Sequence, residues 1–156
     1  MGVEVERYVI INGVKVFLKY EVEVSQREFL SEYRRSYYRA IPSEDVMKRI
    51  KRILVKRKMR EINRRYFDLL THVVSKIGRK KVTVYFDHDD RALEAIRKGR
   101  EVSILGRKMI LGTFKTTDSV FLVFWDRRTP EYPLQVGVPR EIFPMVLLRL
   151  GIDPDV

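Results

Sequence analysis

The chain contains no cysteine. That absence removes disulfides, thiolate metal sites and cysteine nucleophiles, and it agrees with a reducing compartment. Histidine is almost as scarce: His72 and His88 are the only two, and they lack the close spacing of a zinc pair. No apolar run approaches the roughly 20 residues that a membrane-spanning helix needs. The opening MGVEVERYVI is acidic where a secretory signal would be basic and then apolar. The expectation is a soluble, cytoplasmic protein with no membrane partner. A phosphate-cradling P-loop, a GxGxxG turn and a serine in a nucleophile elbow are also missing. No repeat, low-complexity segment or linker divides the chain, so its 156 residues, 45% of them apolar, read as one domain.

What the chain has in excess is positive charge, +11 in total. Residues 27–41 carry four Arg against two Glu, and residues 43–81 carry 14 Lys or Arg against four acids. These two segments hold a net +12, so the remainder sums to −1. Charge confined to one stretch is the electrostatic footprint expected for a polyanion. A solvated helix face, a protein partner and an acidic membrane surface are the other readings of the same run. Abundant Lys, Arg and Glu with few Gln resemble a thermophile's usage.

Alternating apolar residues surround Asn12-Gly13. An Asn-Gly pair in that setting predicts a hairpin, with strands near 3–11 and 14–24. Ser25-Gln-Arg-Glu28 reads as a capping box opening a helix over 26–40, broken by Pro42. Ser43 caps a second helix running to Ile77 and ending at Gly78, with Glu44 and Asp45 favourable in its first turn. Val55, Met59, Ile62, Tyr66, Leu69 and Val73 step by four and three along it, a stripe suited to a core or to a homodimer seam, the core being preferred. Lys81–Phe86 predicts a strand, and Asp89 or Asp90 caps a short helix to Lys98. Strands follow at 101–105, 108–114 and 119–125, with an edge strand at 134–138 and a last helix from Arg140 to Leu150. The fold class is α+β: an N-terminal β-hairpin, two helices with the second long and basic, then a mostly antiparallel sheet with a short helix and a C-terminal helix.

Candidate nucleic-acid contacts are Arg34, Arg35 and Arg39 on the first helix, and Lys48, Arg49, Lys51, Arg52, Lys56, Arg57, Lys58, Arg60, Arg64 and Arg65 on the second. Tyr38 is a candidate base-stacking ring; Tyr33 and Tyr37, four apart, either stack likewise or face the core with Leu30. Two acidic groups are the candidates for chemistry. Asp87-His88-Asp89-Asp90 lies at a strand end, where Asp87 and Asp89 would hold Mg²⁺. Ser119–Trp125 delivers Asp126-Arg-Arg128, with Asp118 at its start; Asp126, Asp118 and Arg128 are the catalytic candidates. An acid, a spacer and a cation after a buried strand match the outline of the D/E-x-K element of restriction-type nucleases. Arginine, however, cannot release a proton as lysine can.

Residues 100–150 resemble the RecB-like nucleases in outline: Leu111-Gly-Thr-Phe-Lys115, then Asp126-Arg-Arg128, then Gln135. The resemblance implies a metal site built on two carboxylates, with the first acid at position 115. Lys115 stands there instead, which points to a nuclease-like fold kept for binding. Three functions are therefore expected. The first is a nucleic-acid-binding protein without cofactor, holding DNA more than RNA through backbone contacts, in an architectural or virion-associated role in a virus or mobile element of a thermophilic archaeon. The second is a Mg²⁺-dependent nuclease with a degenerate site. The third is an RNA- or ribosome-associated interaction module.

Overall fold

A computed structural model describes residues 2–37, 43–128 and 132–154. Strands β1 (Gly2–Ile11) and β2 (Val14–Glu23) form the expected hairpin. Asn12 and Gly13 take φ of 49° and 79°, the left-handed turn that joins two twisted strands with least strain. Helix α1 (Gln26–Ser36) starts at Ser25, and both halves of its capping box are made. It stops short of the expected residue 40, because Tyr37 leaves helical geometry at φ −135° while its N–H still bonds the Tyr33 carbonyl.

Helix α2 (Glu44–Ile77) is capped by Ser43 and closed by Gly78 at φ 72°. Its 34 residues reach about 51 Å. The stripe Val55, Met59, Ile62, Tyr66, Leu69 and Val73 is buried, joined by Ile50, Leu54, Leu70, Val74 and Ile77. Each such side chain contributes about 1.5–3 kcal/mol on leaving water. Lys58 Nζ reaches the carbonyl of Glu23, the last residue of β2, at 2.5 Å. Residues 44–57 therefore run beyond that end of the sheet, where α1 covers them: Phe29, Tyr33 and Tyr37 share a cluster with Val46, Ile50 and Leu54.

Strand β3 (Lys81–Phe86), helix α3 (Asp90–Arg97), strands β4 (Arg100–Ile104), β5 (Arg107–Lys115), β6 (Ser119–Trp125) and β7 (Leu134–Pro139), and helix α4 (Phe143–Arg149) complete the chain. The seven strands form one sheet in the order β1-β2-β3-β7-β6-β5-β4. Only the β2–β3 pair is parallel, joined through α1 and α2. Helix α2 covers one face, where Val16, Leu18, Val84, Phe86, Val136 and Phe124 are buried. The opposite face meets α3 chiefly over β5 and β6.

Two expectations change. Strand β7 is central, not an edge, hydrogen-bonded to both β3 and β6. Its Pro139 occupies the final position, where a missing N–H costs the ladder least, and Gly137 makes room for the Phe121 ring, to which an added Cβ would stand 3.1 Å away. The last helix begins later than Arg140: residues 140–142 form a 3₁₀ turn, and α4 starts at Phe143 with Pro144 in its first turn, where a missing N–H is tolerated.

Gly112 of β5 is where α3 approaches closest, since a Cβ there would lie 2.1 Å from the Ala95 carbonyl oxygen. Gly112→Ala is expected to destabilise the protein by about 3 kcal/mol, at the upper end of overpacking costs, seen as a lower midpoint in urea unfolding. Gly13→Ala, with nothing within 4 Å of the added atom, is expected to cost less, through its positive φ alone.

Candidate nucleic-acid interface

The basic residues of α2 divide by whether an acid holds them. Lys48 pairs with Glu44 at 3.4 Å, Arg57 with Glu32 at 3.3 Å, Lys58 with Glu28 at 3.0 Å and Arg65 with Glu61 at 2.9 Å. Glu32 is buried, and its carboxyl is held below its ordinary range first by the hydrogen bond from Arg57. Glu28, inside the capping box, is also lowered: desolvation opposes the shift, and bonds from Lys58 and Ser25 outweigh it. The Glu28 and Glu32 pairs clamp α1 onto α2.

Arg49, Lys51, Arg52, Lys56, Arg60 and Arg64 make no ion pair among the described residues. All but half-buried Lys51 are exposed. Arg52, Lys56, Arg60 and Arg64 are each four residues apart and so form one ridge about 18 Å long on the helix. Three consecutive like-charge neighbours at this spacing repel by about 0.2–0.5 kcal/mol each. The buried stripe lies about 120° round the helix from the middle of this row, at 100° per residue. On α1, Arg34 and Arg35 are exposed and line a shallow concavity with Arg27, Leu30 and Ser31; Arg35 also lies in the field of Glu32. Tyr33 and Tyr37 are packed against the core. Tyr38 and Arg39 lie outside the described residues.

The ridge leads to a second basic group that sequence reasoning missed. Arg107, at the start of β5, donates to the Arg65 carbonyl at 3.3 Å, and Arg65 donates to the Arg128 carbonyl at 3.4 Å. Arg107, Lys108, Arg127 and Arg128 thereby border one hollow with Asp126. The only sequence signal was the Arg107-Lys108 doublet after the Gly106 turn. Nothing local shows that a β5 residue meets the middle of α2.

The acidic candidates do not converge. Asp126 is buried and accepts from the Arg128 backbone N–H at 2.9 Å and from its guanidinium at 3.3 and 3.1 Å. The Arg128 guanidinium, and at longer range Arg107, hold this carboxyl below its ordinary value. Aspartate and arginine are thus one closed ion pair beside α2. Asp118 is exposed at the opposite end of β6, more than about 20 Å away at the rise of a strand. Lys115 lies at that same far end, its neighbour Val120 opposite it, so the two positions that the nuclease resemblance pairs are separated. Asp87 follows β3 on the face away from α2, where its Oδ1 accepts from Gln135 Nε2 at 2.7 Å and from the Asp89 N–H at 3.1 Å. Asp89 caps α3 by accepting from the Arg91 N–H at 2.7 Å, and the Arg91 side chain lowers its carboxyl. Among the described residues, no three His, Asp or Glu side chains are grouped to hold a metal ion. Among the same residues, no helix is long and apolar enough to cross a membrane.

No family model, curated protein or solved structure matches the chain.

The Asp126–Arg128 pair has a testable pH signature. A carboxyl whose folded value is depressed stabilises the protein above its unfolded value and loses that contribution as pH falls through the folded one. Asp126→Asn is expected to lower stability at pH 7 by about 2 kcal/mol, the scale of charge-assisted hydrogen bonds. In thermal melts the gap from wild type should hold down to the ordinary aspartate value of 3.8 and close below it.

Proposed function

We propose that the protein binds nucleic acid, chiefly the phosphate backbone of duplex DNA, through the ridge on α2. One observation carries this reading: six cations on one helix, four of them in a single row, have no acidic partner among the described residues, although the same helix pairs every other cation of its first half. Mutual repulsion along the row costs stability, and a polyanion laid along it removes that cost while releasing its own condensed counterions. The ridge lies on a long capped helix rather than on a short recognition helix after a tight turn. This favours backbone contacts over base readout. Arg34 and Arg35 on α1, and Arg107 and Arg128 beyond the other end of the ridge, extend the contact. A binding role without cleavage, as in an architectural or virion-associated protein, is preferred. Asp126 is committed to Arg128, and Asp87 and Asp89 are committed to a turn and a cap. The composition fits a thermophilic source.

Arg52→Gln/Lys56→Gln/Arg60→Gln/Arg64→Gln is expected to weaken duplex DNA binding roughly a hundredfold or more at 0.1 M salt. The slope of log affinity against log salt should flatten by about 3–4, near 0.9 for each phosphate no longer neutralised. Gel shifts or anisotropy across a salt series measure both quantities. Unchanged affinity and slope would place the DNA on another surface. The same variant should melt no lower than wild type, since it removes only repulsion.

A further inference from the structure

The sheet face opposite α2 is open over β1, β2 and β3, while Gln135 of β7 is buried there, and the strand register orders its side chains into rows. One row runs Tyr8, Phe17, Thr83, Gly137, Phe121 and Phe114, each directly paired with the next across six strands. Tyr8 and Phe17 are in ring contact at 5.2 Å. Gly137 leaves a gap that the Phe121 ring fills, and that ring is stacked between Tyr85 at 5.3 Å and Phe114 at 5.0 Å. Tyr8 is 63% exposed, and Phe17 and Tyr85 are half-buried.

One step along the strands lies a row of cations. Lys15 and Lys81 are direct register partners, and both are exposed. Like charges placed directly opposite each other are unfavourable, so this pair is retained at some cost in stability. Exposed Lys80 and Arg140 flank the same border, with Arg140 anchored by donating to the Thr116 carbonyl. Lys15 Nζ also sits 4.5 Å from the centre of the Tyr8 ring. The opposite border is acidic: Glu4 and Glu21 are register partners, Glu6 lies beside them, and Lys19 is tied to Glu4 at 2.9 Å.

We infer that this face is a platform for single-stranded nucleic acid. Two or three unpaired bases lie on Tyr8, Phe17 and Tyr85, and their phosphates run along Lys15, Lys81 and Arg140. The occupant follows from the arrangement of charge. Lys15 lies two residues from Phe17, about 6.6 Å along the strand, on the scale of the base-to-phosphate separation in a nucleotide, while Tyr85 stands one row further on, in register with Lys19 and Glu6. The acidic border repels a backbone placed on the wrong side and so sets the strand's orientation. Stacking on rings tolerates any base, and salt-sensitive contacts to a lysine row supply affinity. A peptide partner gains nothing from a lysine pair held together at a cost unless it is acidic, and the acidic border would then oppose it. The inference rests on the nucleic-acid reading of the chain but uses a surface separated from the α2 ridge by the whole sheet.

The test is anisotropy of a labelled eight-nucleotide oligothymidine, its RNA equivalent and an abasic strand of the same length, at low salt. The proteins are wild type, Tyr8→Ser/Tyr85→Ser, Lys15→Gln/Lys81→Gln and the ridge variant. The expected result is at least tenfold weaker binding of the abasic strand by wild type. Each platform variant should lose at least tenfold on the intact strand while its duplex binding stays unchanged, and Lys15→Gln/Lys81→Gln should melt no lower than wild type. The ridge variant should keep the single-strand site and lose the duplex. Equal binding of intact and abasic strands would overturn the inference. So would undiminished binding by Lys15→Gln/Lys81→Gln, or a wild type that binds no single strand, which would leave the face to a protein partner. Failure of the duplex reading shows separately, as unchanged duplex binding by the ridge variant.

Discussion

Ile62, Tyr66, Leu69 and Val73 of α2 lie buried against one face of the sheet, with Tyr66 in ring contact with Phe86, and this seam sets the position of everything else. A helix has one period for all its side chains, so placing these residues inward places Arg52, Lys56, Arg60 and Arg64 outward. The seam also fixes depth and angle, through a partly buried hydrogen bond from Tyr20 to Asn63 where strand β2 meets the helix. Because α2 outruns the strands beneath it, its first turns have no sheet to lie on. Helix α1 fills that need, and the Glu28 and Glu32 pairs with Lys58 and Arg57 hold it there.

Those pairs sort the charge. A basic helix could spread its cations among acids until none was left over, and α2 does this with Arg57 and Lys58 where it meets α1, and within itself at Lys48–Glu44 and Arg65–Glu61. The row Arg52, Lys56, Arg60 and Arg64, interleaved with those paired cations, has no such partner among the described residues. A second separation of sign recurs on the open face, where lysines border one side of the aromatic row and glutamates the other. The molecule thus carries two differently built, positively charged surfaces on opposite sides of one sheet, to which the proposed readings assign a polyanion. One is a line of charge along a helix, proposed for a stiff duplex, and the other is an array of rings bordered by lysines, proposed for unpaired bases.

The local features of this fold were readable along the chain because their causes are local. Asn12-Gly13 demands positive φ wherever it occurs, and Ser25 with Glu28 makes a cap from four consecutive residues. The α2 stripe was readable for the same reason: residues three and four apart are neighbours before any tertiary contact forms. Strand β7 was not, since Leu134–Pro139 carries no mark saying which strands will flank it. Its central place depends on Phe121 folding over Gly137 from the next strand. The acids failed as a group for a related reason. Asp87, Asp118 and Asp126 each follow or precede a strand, but strand direction sends Asp118 to the far end and residue alternation sends Asp87 and Asp126 to opposite faces.

The sequence by itself determined the α+β class, the hairpin, the capped basic helix and the face of that helix which is buried, because period, turn chemistry and capping act over a few residues. Only the tertiary structure decided which cations are left without acids. An ion pair such as Arg57 with Glu32 joins residues 25 apart in the chain, and that distance closes only when α1 docks. The tertiary structure alone also assembled the row from Tyr8 to Phe114. Six strands contribute one residue each, and the register that aligns them is set by hydrogen bonds between segments far apart in sequence.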